Sequence, residues 1–308
     1  MRIKCLYNTM NKENEKIEEN EKIETRIDVE YLERLKKVSC MSYFGDWTGR
    51  VEELKKEFKR NEPFGHIIID NFLSEEYAEK LYDLFPTDMS SWHVYENPLE
   101  VKRTFDKIEL LPEELKNYFY YLSTDEMIGL IGEITGIEGL EYDAYLHGAG
   151  LHSHSRHGRL NIHLDYEKHP FSGKERKINI ILFVTKNWDP SWNGANELWN
   201  ETATKCISKT DVKFNCAVLF KTNDISWHGV PDKIVCPENV CRNSIAYYYV
   251  APLSMHKKEE EYRKKATFIR RPGEAEDDRM SQLYQIRANR RITEDDLRSI
   301  MPEWTIYL

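Results

Sequence analysis

The sequence predicts an α+β protein in which helices gather early in the chain and a two-layered antiparallel β-sandwich follows, with helices over one side. Three observations carry this. Apolar residues recur at helical spacing over residues 27–62. From about Leu140 the texture changes to β-branched and aromatic runs of strand length, broken by Gly, Pro and Asn turns. Finally, 308 residues with 40% apolar and 12% aromatic side chains can fill a large core, so the chain is not disordered.

The elements follow in order. Residues 11–24 are nearly all Lys, Glu and Asn, so 1–26 reads as a charged flexible tail. Val29, Leu32 and Leu35 mark one helix; Trp47, Val51, Leu54 and Phe58 mark a second, giving a helical N-terminal segment over 27–62. The main domain, 63–252, opens at Pro63. Ile67, Ile68 and Ile69 form a short buried strand, and Ser74 caps a helix that buries Tyr77, Leu81 and Leu84. A helix follows Pro112, and another begins at Ser123, with Glu126 completing a capping box. Strands are expected over 177–184, 214–220 and 244–250. Beyond Pro252 the chain turns polar, and Thr293 with Asp296 caps a last helix holding Leu297 and Ile300. Residues 253–308 are expected to be a polar C-terminal appendage, partly docked and without chemistry of its own.

Charge narrows the partners. The net charge is −9, and residues 27–252 alone carry an excess of ten acidic groups. Such a surface repels phosphate backbones, which argues against nucleic acid and favours neutral or basic substrates. No apolar run reaches the roughly 18–20 residues that cross a bilayer, and Met1 to Leu6 lack a secretory apolar region. The expectation is a soluble, cytoplasmic protein with a small-molecule or peptide substrate and no membrane partner. Six cysteines (Cys5, Cys40, Cys206, Cys216, Cys236, Cys241) show no CxxC pair and read as reduced thiols, with zinc on Cys236 and Cys241 disfavoured.

The chemistry concentrates in the histidines. Six of ten (His147, His152, His154, His157, His163, His169) fall within 23 residues, where solvated loop imidazoles are the plain competing explanation. His163 and Asp165 stand two apart, so strand alternation turns both to one face. His228, just past the strand ending at Phe220, is the candidate for a second imidazole; two His and one carboxylate leave open positions of the kind non-haem Fe(II) oxygenases need. Arg242 opens an otherwise apolar strand and needs an anion; its planar guanidinium suits a carboxylate, with Ser244 as helper. His152 and His154 form a rival pair, set aside because 152–158 reads as a loop. Trp92, His93, Tyr95, Lys102 and Arg103 read as a surface loop, with a lid over the site as the sharper alternative.

Joint motifs carry a resemblance. They are Phe64 to Leu73, Asp143 to His152, Leu160 to Asp165, Arg176 to Trp188, Trp227 to Pro231 and Arg242 to Tyr249. Over about 63–252 the chain resembles 2-oxoglutarate- and Fe(II)-dependent dioxygenases of the prolyl 4-hydroxylase-like group. It is most similar to a bacterial and viral branch of mostly unassigned substrate. The resemblance implies a double-stranded β-helix (jelly-roll) core with flanking N-terminal helices, and iron held by His163, Asp165 and His228. It further implies Arg242 and Ser244 on the distal carboxylate of 2-oxoglutarate, and Fe(II), 2-oxoglutarate, O2 and auxiliary ascorbate as cofactors. The implied reaction is hydroxylation with release of succinate and CO2, on peptidyl or free proline-like amino acids, a sugar or a natural-product intermediate. Asp165 argues against halogenation. Three features depart from the pattern. Arg242 lies 14 residues after His228, so the loop between them is expected to bulge outward. Phe183 stands where relatives often have a tyrosine, with Asn179 on the same face as a compensating group. Asn196 replaces an apolar residue. A non-catalytic jelly-roll binding module and a cupin-like metal enzyme are the competing functions.

Overall fold

The structure is a computed structural model that describes residues 25–35 and 39–306. Almost all of the charged tail expected over 1–26, with Cys5, lies outside the described residues. Helices α1 (Val29–Leu35) and α2 (Val51–Arg60) come first. Then follow strand β1 (His66–Asp70), helix α3 (Glu75–Asp83), a hairpin of β2 (His93–Glu96) and β3 (Glu100–Phe105), and helices α4 (Glu113–Leu122) and α5 (Asp125–Thr135). Nine strands succeed them: β4 (Glu141–Tyr142), β5 (Gly150–His154), β6 (Arg159–Leu164), β7 (Glu175–Phe183), β8 (Asn196–Trp199), β9 (Cys206–Thr210), β10 (Cys216–Lys221), β11 (His228–Val230) and β12 (Arg242–Ala251). Strand β13 (Thr267–Phe268) and helices α6 (Asp278–Asn289) and α7 (Glu294–Ile300) close the fold.

All thirteen strands belong to one antiparallel sheet, ordered β1-β10-β7-β12-β5-β3-β6-β11-β8-β9, with β2 on β3, β4 on β12 and β13 on β6. Strand β3 turns the corner: its end pairs with β5 through Arg103–Phe105 and its start pairs with β6 through Glu100 and Val101. The sheet thus folds over into two layers, β1-β10-β7-β12-β5 and β6-β11-β8-β9, giving the nearly closed double-stranded β-helix of an α+β protein.

Alternation sorts the larger layer. Ile67, Ile69, Leu151, Ile178, Ile180, Leu182, Ala217, Leu219, Ile245, Tyr247 and Tyr249 face one way and form one core with the helices. Tyr247 and Tyr249 tie that face to the end of α4: Tyr247 Oη lies 2.7 Å from Ser123 Oγ, and Tyr249 Oη donates to Leu122 O at 2.7 Å. The intervening residues (Asn179, Ile181 and Phe183 on β7, Arg242, Ser244 and Tyr248 on β12, His152 and His154 on β5) turn into the sandwich. One face is therefore oily and the other chemically loaded.

Several local expectations need correction. Trp92 to Arg103 is no solvated loop. It is the β2–β3 hairpin, and Trp92 is buried between Phe85 and Phe105. Residues 150–154 are strand β5, and only 155–158 turn; His and Ser side chains disguise a strand whose neighbours are polar. The N-cap of α5 is Thr124, whose hydroxyl accepts from Met127 N, while Glu126 accepts instead from Ser39 Oγ and Cys40 N. Ser74 precedes α3 but makes no side-chain cap bond. The loop between His228 and Arg242 does not bulge outward: Ile234 and Cys236 are fully buried, and Ile234 exchanges backbone bonds with His157 and Gly158. The C-terminal segment is built into the body, with β13 on β6 and with Leu283, Leu297 and Met301 packed against Leu99 and Phe268. The Thr293–Asp296 capping box forms on α7. The five described cysteines are free, and none joins a metal-ligand group among the described residues. No described helix is long and apolar enough to cross a membrane.

The two faces of the sheet predict unequal responses to truncation. Leu182→Ala, which empties the oily core, is expected to lower unfolding stability by about 2–5 kcal/mol in urea melts. Ile68→Ala, at a position 40% exposed, should cost under about 1 kcal/mol.

Candidate metal centre

The strand register builds the centre. His163 on β6 and His228 on β11 are directly opposed in the antiparallel ladder, so one strand pairing delivers two imidazoles to one point. Their ring centroids are 4.3 Å apart. Asp165 follows the end of β6 and turns its carboxylate between them: Oδ1 lies 3.6 Å from His163 Nε2, and Oδ2 lies 3.6 Å from His228 Nε2. One donor atom from each residue falls within a 4.8 Å set, the one such group of three among the described residues. Gly229 permits the crossing, because a Cβ there would meet Leu160 O at 2.7 Å.

Backbone carbonyls fix the ring tautomers. His163 Nδ1 donates to Asn161 O at 3.0 Å, and His228 Nδ1 donates to Ser226 O at 2.9 Å. Each Nε2 then keeps its lone pair for a ligand, the arrangement that outer hydrogen bonds impose on metal-binding histidines. Phe268 stacks on the His163 ring at 5.0 Å, and Phe220 packs on His228 at 4.8 Å. Burial, and then the neighbouring His163 ring, push the His228 pKa down to about 4, so it is neutral at pH 7. Burial works against the Asp165 carboxylate. His228, His163 and Arg176 outweigh it and hold the carboxyl well below its usual range.

Two side chains hold the carboxylate, and two arginines brace its surroundings. Tyr248 Oη donates to Asp165 Oδ2 at 3.1 Å, and Asn179 Nδ2 lies 3.5 Å from the same oxygen. Arg176, fully buried, is sandwiched between the Tyr166 and Tyr248 rings, each 3.6 Å from its guanidinium carbon, and donates to His147 O. Arg263 donates through Nε to Asp165 O (2.9 Å) and through Nη2 to Asn223 O (3.2 Å), and its Nη1 reaches Asp224 Oδ1 (2.9 Å). This one guanidinium therefore clamps the segment after β6 to the segment before β11, the two stretches that present the donors.

Arg242 lies on the inward-turned side of β12, in the other layer, and is 2% exposed. Nε donates to Gly194 O at 2.6 Å, Nη1 to Ser244 Oγ at 3.4 Å, and the guanidinium sits 4.9 Å over the Phe183 ring. Gly194 has φ +89°, and a Cβ there would press on Arg242 Cδ at 3.2 Å. No described carboxylate forms an ion pair with Arg242, and burial alone pulls its pKa down to about 9. Both donor sets fit the groups the sequence points to: two imidazoles with a carboxylate suit a divalent iron, and a buried guanidinium without an anion suits an incoming carboxylate.

Sequence reasoning missed Tyr248, Arg176, Arg263 and Phe268. Counting by twos from Arg242 and Ser244 reaches Tyr248, so that signal was present. Arg263 and Phe268 arrive from about a hundred residues downstream of Asp165 and leave no local trace. Of the rival pair on β5, His154 is buried and His152 half-buried, and neither joins a group of three metal-ligating residues among the described residues.

Loaded with Mn(II), the protein is expected to bind one ion per chain in a binding titration. His163→Ala or His228→Ala should abolish that site, and Arg263→Gln should weaken it about 10–100-fold.

The family match agrees with this chemistry. Residues 149–250 match the family model described as the 2OG-Fe(II) oxygenase superfamily, a span that contains all three donors and Arg242. No curated protein matches. Among solved structures, a Trichoplax adhaerens prolyl hydroxylase in complex with a hypoxia-inducible-factor peptide is 16% identical, with TM-score 0.46, over 69% of this chain and 96% of that one. A Pseudomonas putida prolyl-4-hydroxylase is 12% identical, with TM-score 0.44, over 65% and 99%. HygX from Streptomyces hygroscopicus, with nickel, 2-oxoglutarate and hygromycin B bound, is 11% identical, with TM-score 0.41, over 64% and 86%. Over 149–250, about a third of the chain, the sequence is thus similar to the 2OG-Fe(II) oxygenases, a class of dioxygenases that use Fe(II), 2-oxoglutarate and O2.

Proposed function

We propose that this protein is a hydroxylase in which His163, Asp165 and His228 hold Fe(II), and Arg242 with Ser244 receives the distal carboxylate of 2-oxoglutarate. The observation that carries the reading is a three-donor set on one layer and, on the inward side of the other layer, a buried guanidinium without a carboxylate partner. Iron with 2-oxoglutarate supplies oxidation of an unactivated C–H bond, with succinate and CO2 as co-products. The chain's own residues do the positioning. Asn161 O and Ser226 O keep the Nδ1 protons, so that both Nε2 atoms stay free to ligate. Tyr248 and Asn179 orient Asp165, and Phe220 and Phe268 keep water from the imidazole faces. Asn179 thus serves the metal carboxylate through Nδ2 in this reading.

The domain of this chemistry is 63–252, braced by the C-terminal segment through Arg263 and Phe268. The substrate is a peptidyl or free proline-like amino acid, a sugar or a natural-product intermediate; the acidic body favours neutral or basic members of these classes. Succinate release from 2-oxoglutarate is the direct assay. It should require Fe(II), vanish in His163→Ala and Asp165→Ala, and show a 2-oxoglutarate KM raised about 10–100-fold in Arg242→Leu. Undiminished turnover in Asp165→Ala would remove the basis of this reading.

A further inference from the structure

Two imidazoles on β5 are so far without a role. In the β5–β12 register His154 lies opposite Arg242, and His152 lies opposite Ser244. Residues directly opposed in antiparallel strands share a face, with Cβ atoms about 4.5–5.5 Å apart. His154 is 2% exposed. Both of its ring nitrogens are buried without a hydrogen-bond partner, as is Nε2 of His152. Orphaned buried nitrogens in a well-packed sheet call for a partner that the protein itself does not supply.

The surroundings say what that partner is. Burial, followed by the Arg242 and Lys102 charges, holds His154 neutral, and the same influences push His152 down to about 3. A neutral imidazole still offers one N–H. Arg242 has no carboxylate, and Phe183, under its guanidinium, has no hydrogen to donate. The shared vacancy in this chemistry is an anionic oxygen acceptor.

We propose that His154 donates a hydrogen bond to the distal carboxylate of 2-oxoglutarate beside Arg242, making it a co-substrate-binding residue of this chain. The inference rests on the dioxygenase reading above. His152 and Ser244 form the next rung of the same ladder, towards Asp165, whose charge reaches His152. Ala246 follows on that face, and Asn179 and Tyr248 form the rung beyond it, on β7 and β12.

The test is calorimetric binding of 2-oxoglutarate to the full chain loaded with Mn(II) without oxygen. His154→Phe should raise the 2-oxoglutarate Kd about tenfold or more, the loss expected for a hydrogen bond to a charged group. His154→Gln, which keeps a donor, should stay within about threefold of the wild type. Mn(II) affinity without 2-oxoglutarate should be unchanged in both. With 2-oxobutanoate, a keto acid lacking the distal carboxylate, wild type and His154→Phe should bind alike. An unchanged 2-oxoglutarate Kd in His154→Phe overturns the inference, and so does an equal loss for both keto acids, which marks a merely structural residue. If the Mn(II)-loaded wild type binds no 2-oxoglutarate, the dioxygenase reading itself fails. Should His154→Phe not fold, nitrogen-15 spectra of histidine-labelled wild type with Zn(II) decide. The His154 ring resonances should move on adding 2-oxoglutarate and not on adding 2-oxobutanoate, and stationary resonances overturn the inference.

Discussion

The pairing of β6 with β11 is the constraint on which the site depends, because it sets His163 opposite His228 and fixes the distance between two imidazoles before any ligand arrives. A shift of one residue would turn one ring outward and leave the Asp165 carboxylate with a single neighbour. Several contacts hold that register: β13 pairs on the far side of β6, β8 flanks β11, and Arg263 joins the loops that follow β6 and precede β11. The geometry is thus a property of the sheet and its C-terminal brace rather than of the three side chains alone.

The interior face is stocked with groups that oppose folding on their own. A fully buried guanidinium, the unpartnered His154 imidazole, the orphaned Nε2 of His152 and an amide oxygen without a partner each carry a desolvation cost, of order several kcal/mol for an ion. The opposite face offsets this with an unbroken layer of Ile, Leu and Tyr against the helices. On the proposed reading, this division places polar, destabilising chemistry where a bound anion and metal would relieve it, and assigns stability to the other side of the same strands. Arg176 shows the alternative solution: a buried cation held within the protein by two tyrosine rings and a carbonyl, with its Nε left unpaired.

Much of this was legible in the sequence where side chains reported their own environment. The apolar runs of β7, β10 and β12 named the strands, and His163, Asp165, His228 and Arg242 stood out as polar groups in apolar settings. Strand β5 was hidden because its His and Ser side chains serve the polar interior, so the composition that reads as a loop is the composition of a site. The β2–β3 hairpin was hidden for a related reason: its charged residues lie on a strand whose neighbours are also charged, as in the Glu100 pairs with Arg287 and Lys102. Arg263 and Phe268 could not be found at all by local pattern, since their meaning lies in contacts formed across about a hundred residues. Thr124 displaced Ser123 as the α5 cap, which freed Ser123 to meet Tyr247 instead.

The central claim is that three side chains converge on one divalent ion at the foot of the Arg242 guanidinium. Anomalous diffraction from crystals soaked with Mn(II) and 2-oxoglutarate tests it most directly. The account predicts a single strong peak, about 2.0–2.2 Å from His163 Nε2, His228 Nε2 and one Asp165 oxygen, with the organic acid running from that ion to Arg242. A peak on His152 and His154 instead, or an acid bound away from Arg242, would contradict it.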